Sequence, residues 1–170
     1  KNNSGHGRSI RIGYDFCNNC IETDFVLQID SDGQCLPKFF NDFWKNRLIF
    51  DFISGFRITR GDGIVRKITS KISSFLSSAI VGRKLYDANT PYRLFKTSVL
   101  KEALKHVNES FDIHNIALTF IIYTKNYKVL RVNIDFPNRD GGENSINFLK
   151  VFQMGANMLV DLYILNKNVK

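Results

Sequence analysis

A chain of 170 residues with 44% hydrophobic and 24% charged content can bury a core of its own, which excludes a disordered tail or a minimal disulfide-stapled peptide. Lys and Arg total 24 against 16 Asp and Glu, a net charge of +8, which favours polyanionic partners: nucleic acid, acidic lipid headgroups or phosphorylated ligands. Three cysteines exclude an even disulfide framework and indicate a reducing, cytoplasmic compartment; no uninterrupted apolar run reaches membrane-spanning length.

In chain order, Asn3-Ser4-Gly5-His6-Gly7 is a polar loop feeding a helix-like pattern from Arg8 to Cys17. Such a loop can bind an anion at the helix N-terminus, or simply be a capped loop with His6 on the surface. Cys17-Asn18-Asn19-Cys20 has redox spacing, but it falls at the end of a predicted helix and no second pair completes a zinc site. Phe25 to Ile29 has the length and residue types of a buried strand, and Pro37 fits the first position of a helix carrying Phe39, Phe40, Phe43, Trp44 and Arg47. Leu48 to Ile53 reads as a second strand closed by Ser54-Gly55, with a loop from Phe56 to Gly63 that carries Arg57 and Arg60.

Apolar residues at helical spacing from Ile64 to Ile80, with Arg66, Lys67 and Lys71 opposite, predict an amphipathic helix with a core face or a membrane-surface face. Leu94-Phe95 suits a short strand, and Thr97 or Ser98 a cap for a helix through His106. A helix over His114–Thr124, a strand over Val129–Phe136, a charged Gly-rich turn at 137–142 and a long helix over Ile146–Leu165 complete an α/β pattern. No P-loop, HExxH or G-x-S-x-G element is present.

The stretch with the most chemistry is Gln28-Ile29-Asp30-Ser31-Asp32-Gly33-Gln34. Two carboxylates about 5 Å apart repel by roughly 3 kcal/mol at an effective dielectric of ~20, which a divalent cation would offset. Carboxylate oxygens suit Mg²⁺ or Mn²⁺, and the end of a strand in an α/β sheet is where ligands gather. The plain alternative is that Asp-Ser-Asp-Gly is turn composition. An EF-hand is excluded, because Cys35 stands where its invariant Gly is needed.

Taken together, Asn3-x-Gly5-His6-Gly7, Gln28 to Gln34, Ser54-Gly55-Phe56-Arg57, Asp87-Ala88-Asn89-Thr90-Pro91-Tyr92-Arg93 and Arg139-Asp140-Gly141-Gly142-Glu143-Asn144-Ser145 resemble a family-2 glycosyltransferase, in the branch of dolichyl-phosphate mannose synthase and the polyprenyl-phosphate glycosyltransferases. The resemblance implies a GT-A, Rossmann-like nucleotide-diphospho-sugar fold over residues 1–145, followed by an amphipathic helix over 146–170. It further implies a metal site (Mg²⁺ or Mn²⁺) at Asp30, Asp32 and Gln34, and diphosphate contacts from Asp30, Arg57 and Arg60. Asp87 and Arg139 match catalytic positions, Asp87 as acceptor-loop acid and Arg139 on a loop closing over the diphosphate.

Implied partners are a nucleotide-sugar donor, a polyprenyl phosphate or glycan acceptor, and peripheral contact at the inner face of a membrane. Two departures bear on acceptor and sugar: Pro91 stands where relatives often have Gly, and no Lys follows Ser145. Family members place two base-binding βα units ahead of the segment matching Asn3, so the chain is expected to be N-terminally truncated and incomplete alone. The competing readings are an inactive relative and a non-catalytic basic domain that binds anionic membrane or nucleic acid. Carboxylates at a strand end repel polyanions, and RNA-binding signatures are missing, so no nucleic acid is expected.

Overall fold

Alternation along four short strands sets the layering of the molecule. The computed structural model describes residues 6–20, 22–60, 64–108, 111, 114–137 and 148–169. The strands are β1 (Phe25–Gln28), β2 (Phe52–Arg60), β3 (Arg93–Lys96) and β4 (Val129–Phe136). They form one sheet in the order β1-β3-β2-β4, with β3 antiparallel to both neighbours and β2 parallel to β4. Successive side chains point to opposite faces. Val26, Phe52 and Phe95 therefore join one buried cluster, while Ile53, Leu94 and Ile134 join another.

Helices cover the first face. They are α1 (His6–Cys20), α4 (Thr97–Leu104), α5 (His114–Thr124) and the long α6 (Phe148–Val169). From His114 to Ile122 every residue of α5 is buried, which marks it as the central helix of this layer. Met158, Leu162 and Leu165 of α6 pack into the same cluster. The second face is closed by α2 (Phe40–Trp44), whose Phe43 stacks at 4.6 Å on Tyr92. Burying side chains such as Phe43, Phe52 and Phe95 stabilises the fold by about 1.5–3 kcal/mol each.

Three expectations from the sequence are corrected. Residues 45–49 continue as turns, with Lys45 N–H bonded to Asn41 O and Ile49 N–H to Asn46 O, so Leu48 and Ile49 are exposed rather than in a strand. The strand starts at Phe52 and runs through the expected loop to Arg60, because its partner β4 pairs with it along the whole length. Ile58 is an extra residue in that pairing, between Arg57↔Ile134 and Thr59↔Asp135, a bulge of the kind that re-aims strand side chains near sites. Finally, Thr97 and Ser98 do not cap α4. β3 runs directly into the helix with Lys96 at the N-cap and no side-chain cap bond, and Thr97 N–H bonds to Asp24 O.

The amphipathic helix α3 (Ile64–Val81) forms as expected, but its exposure does not follow the simple core-face pattern. Ser77 is buried, whereas Ile72 and Phe75 are exposed, Phe75 by 72%.

Candidate active site

β1, β2 and β4 run the same way, so their carboxyl ends open on one side of the sheet, together with the start of β3. The acidic turn follows β1, the loop 85–92 leads into β3, Arg57 lies beyond the middle of β2, and Pro137 follows β4. Segments separated by as many as 103 residues meet there: the Gln34 side-chain amide donates to Pro137 O at 2.6 Å.

Within the acidic turn Gly33 has φ +80°, a conformation that suits glycine, and it lets Gln34 N–H fold back onto Asp32 Oδ1 at 3.2 Å. Asp30 and Asp32 are half-buried and Gln34 is buried. Cys35, just after them, is buried, and its thiol is pushed up to about 11. Burial is the main cause; a bond from the Asp30 backbone lowers it, and the charges of Asp30 and Asp32 raise it further. Among the described residues no three His, Cys, Asp or Glu side chains form a metal-binding group. The donor set is nonetheless hard oxygen, and Mg²⁺ is typically held by one or two carboxylates with ligand phosphates and water supplying the rest. Asp30 and Asp32 fit that demand. Gln34 could add its Oε1 only, since its amide nitrogen is committed to Pro137.

Asp87 is in the left-handed region at φ 45° and is buried. Arg57 grips its carboxylate through both Nε, 2.8 Å from Oδ2, and Nη2, 2.5 Å from Oδ1, while Arg57 N–H also reaches Oδ2 at 3.2 Å. The two side chains are 8% and 3% exposed, and the guanidinium lies 5.0 Å from the Phe136 ring centroid. Arg57, expected at the diphosphate, thus ties β2 to the acceptor-type loop. Gly55 makes room for that junction: a Cβ there would sit 2.5 Å from Ile134 Cδ1 and 3.2 Å from Tyr92 Cβ.

One residue given no role from the sequence is central to the same loop. Arg93 is completely buried and donates to Thr90 O at 2.7 Å, Asn115 O at 2.8 Å and Ala88 O. A charged residue opening the apolar run Leu94-Phe95 was the signal for it. Arg139 and the side chain of Arg60 lie outside the described residues, as do the loop 1–5 and Ser145.

Beside the Arg57–Asp87 pair, a cleft of about 790 Å³ opens between β2 and α3. Phe56, Ile58, Phe75 and Leu85 give it apolar walls, and Lys71 and Arg83 line it as well. Against this cleft Tyr86 meets Phe56 edge-on, and Arg131 lies 3.8 Å from the Tyr86 ring centroid.

The mixed α/β architecture with its four-stranded sheet matches a GT-A-like nucleotide-sugar transferase fold. Glucosyl-3-phosphoglycerate synthase from Mycobacterium tuberculosis, solved with UDP, superposes with a TM-score of 0.58 at 15% identity, over 96% of this chain and 55% of that one. In sequence, the chain is 23% identical over 161 residues to an undecaprenyl-phosphate 4-deoxy-4-formamido-L-arabinose transferase of Photorhabdus laumondii subsp. laumondii, covering 94% of this chain and 47% of the relative. No family model matches. The structural likeness shows a GT-A-like fold, the sequence likeness supports a family-2 glycosyltransferase, and the chain spans about half the length of each protein it matches.

Proposed function

We propose that the full-length protein transfers a sugar from a nucleoside-diphosphate-sugar donor to a polyprenyl phosphate. The observation that carries this reading is the state of Asp87. A hydroxyl acceptor would need a general base, and Asp87 is the only carboxylate in the segment 85–92. Both of its oxygens are engaged by Arg57 in a buried pair. A phosphate acceptor is already anionic and needs no base, which suits a loop whose acid is used for structure.

The donor end follows from the acidic turn. Asp30 and Asp32 would hold Mg²⁺ or Mn²⁺, with Gln34 Oε1 as a further contact. The cation would act as a Lewis acid on the charge that develops on the leaving diphosphate. Arg60 and Arg139 are proposed to add charge-assisted bonds to phosphate. Asp30, Asp32 and Arg57 all act electrostatically on Cys35, which supports their serving one crevice.

The acceptor end follows from the cleft. Its apolar walls suit an isoprenoid chain and Lys71 and Arg83 suit an anionic headgroup. Exposed Ile72 and Phe75 on α3, and Val160, Tyr163 and Ile164 on α6, support peripheral contact with a cytoplasmic membrane face. Among the described residues no helix is long and apolar enough to cross a membrane.

The test offers the full-length enzyme a polyprenyl phosphate and the matching polyprenol, both in anionic liposomes, with labelled nucleotide sugars. Transfer to the phosphate and none to the alcohol is expected, and Ile72→Glu, on the exposed face of α3 outside the cleft lining, should lower transfer from liposomes while sparing a short, detergent-dispersed acceptor. Transfer to the alcohol at a comparable rate would overturn the reading.

A further inference from the structure

Burying a guanidinium is costly unless its surroundings compensate, and Arg93 is at 0% exposure with hydrogen bonds to neutral carbonyls. Those carbonyls belong to two segments. Ala88 and Thr90 are in the loop itself, and Asn115 is in the first turn of α5. The Thr119 hydroxyl, also on α5, lies within donating distance of two of the same acceptors, Ala88 O at 3.0 Å and Asn115 O at 2.9 Å, and its one proton serves either or is shared. The loop is thereby fastened from beneath to the central helix, while Arg57 fastens it from the other side through Asp87.

Only arginine has a planar fork with five N–H donors able to serve three diverging carbonyls at once; lysine presents a compact ammonium on a flexible stem. The Phe52 ring, 5.7 Å from the Arg93 guanidinium carbon, covers it on the core side. The charges of Asp87 and Asp30 act on it in favour of protonation, and that of Arg57 acts against it. Burial pulls its pKa down to about 10, which still leaves it protonated at neutral pH.

We propose that Arg93 is a positioning residue for acceptor use: a buried cation that holds the loop 87–92, and with it the Arg57–Asp87 pair, in the shape that forms one wall of the acceptor cleft. It does not reach the crevice and acts through the loop alone. The inference rests on the transferase reading for its kinetic consequence, but the loop-holding role stands apart from it.

The experiment pairs two readouts on Arg93→Lys and Thr119→Val. Hydrogen exchange on the 170-residue chain is expected to show amides in 86–92 exchanging about tenfold faster in Arg93→Lys, with β2 and β4 amides unchanged. In the full-length enzyme the same variant is expected to raise the KM for polyprenyl phosphate about tenfold, with the donor KM changed less than about twofold. Thr119→Val removes a neutral donor to the same carbonyls and is expected to shift both readouts in the same direction by less, so it serves if Arg93→Lys fails to fold. Uniform loosening of the whole sheet, or equal changes in donor and acceptor KM, would reduce Arg93 to a core residue and overturn the proposal. Absence of transfer in the unsubstituted enzyme would count against the transferase reading, and the exchange data would still decide the role in the loop.

Discussion

The two sides of the crevice are built in opposite ways. On the loop side, Arg57, Asp87 and Arg93 are buried and their bonds run to one another and to backbone carbonyls. On the turn side, Asp30 and Asp32 are half-buried in a short turn organised by Gly33 and by one bond from Gln34 N–H to Asp32 Oδ1. The loop side is finished by the protein itself. In the proposed function, the turn side carries the two carboxylates that would meet the cation. Buried polar networks specify geometry when every member is satisfied, whereas partly solvated carboxylates can change partners during a reaction cycle. In that reading, shape belongs to one side and ligand exchange to the other.

Breaking the loop side should cost most. Arg57→Met or Asp87→Asn each removes one partner of a pair whose side chains are 8% and 3% exposed, with an expected loss of about 3–5 kcal/mol in urea unfolding. Asn is chosen because it tolerates the left-handed φ of 45° at this position. The double variant should lose less than the sum of the singles; strict additivity would mean that the pair is not coupled. Next comes the junction beneath it. Gly55→Ala forces a Cβ to within 2.5 Å of Ile134 Cδ1, for an expected loss of about 1–3 kcal/mol. On an Ile134→Val background, which lacks that atom, the loss should shrink, and an unchanged loss would place the strain elsewhere.

The smallest effect sits between the two sides, at Cys35. Its thiol pKa is raised in the folded protein from an ordinary 9 to about 11, chiefly by burial. A raised folded value favours the folded state fully below pH 9, and that contribution is lost as pH climbs through 11. Iodoacetamide at pH 8 should therefore label exposed Cys20 and spare Cys35 until the protein unfolds. Early labelling of Cys35 would mean that the turn opens readily.

Much of the frame could be read from residue order alone, wherever burial and apolar runs coincide. Helix α5 and strand β4 fall where the sequence puts them, over His114–Thr124 and Val129–Phe136, because α5 is an almost unbroken buried run and β4 alternates Leu130, Val132, Ile134 and Phe136 onto one apolar face. β2 was misread for the converse reason. Its inner half carries Ser54, Gly55 and Arg57, which look like a loop, and only pairing with β4 and β3 makes them a strand. The apolar Leu48-Ile49, which looked like the strand, lie exposed in turns.

At the site, the acidic motif was legible because two carboxylates at a strand end are unusual in themselves. The partner of Arg57 was not, since Asp87 is 30 residues away and a motif says nothing about which charges meet. Arg93 was hidden more deeply. Its role depends on complete burial and on three carbonyls from two segments, neither of which is written in a local pattern.

The most direct measurement is metal-dependent sugar transfer by the full-length enzyme carrying Asp32→Ala, alongside its unfolding midpoint. Because Asp32 Oδ1 accepts the bond from Gln34 N–H, stability should fall by no more than about 0.5–1.5 kcal/mol. Transfer should fall by about a hundredfold or more, because the group that holds charge at the leaving diphosphate is gone. Undiminished transfer at an unchanged unfolding midpoint would contradict the assignment of the acidic turn as the donor anchor.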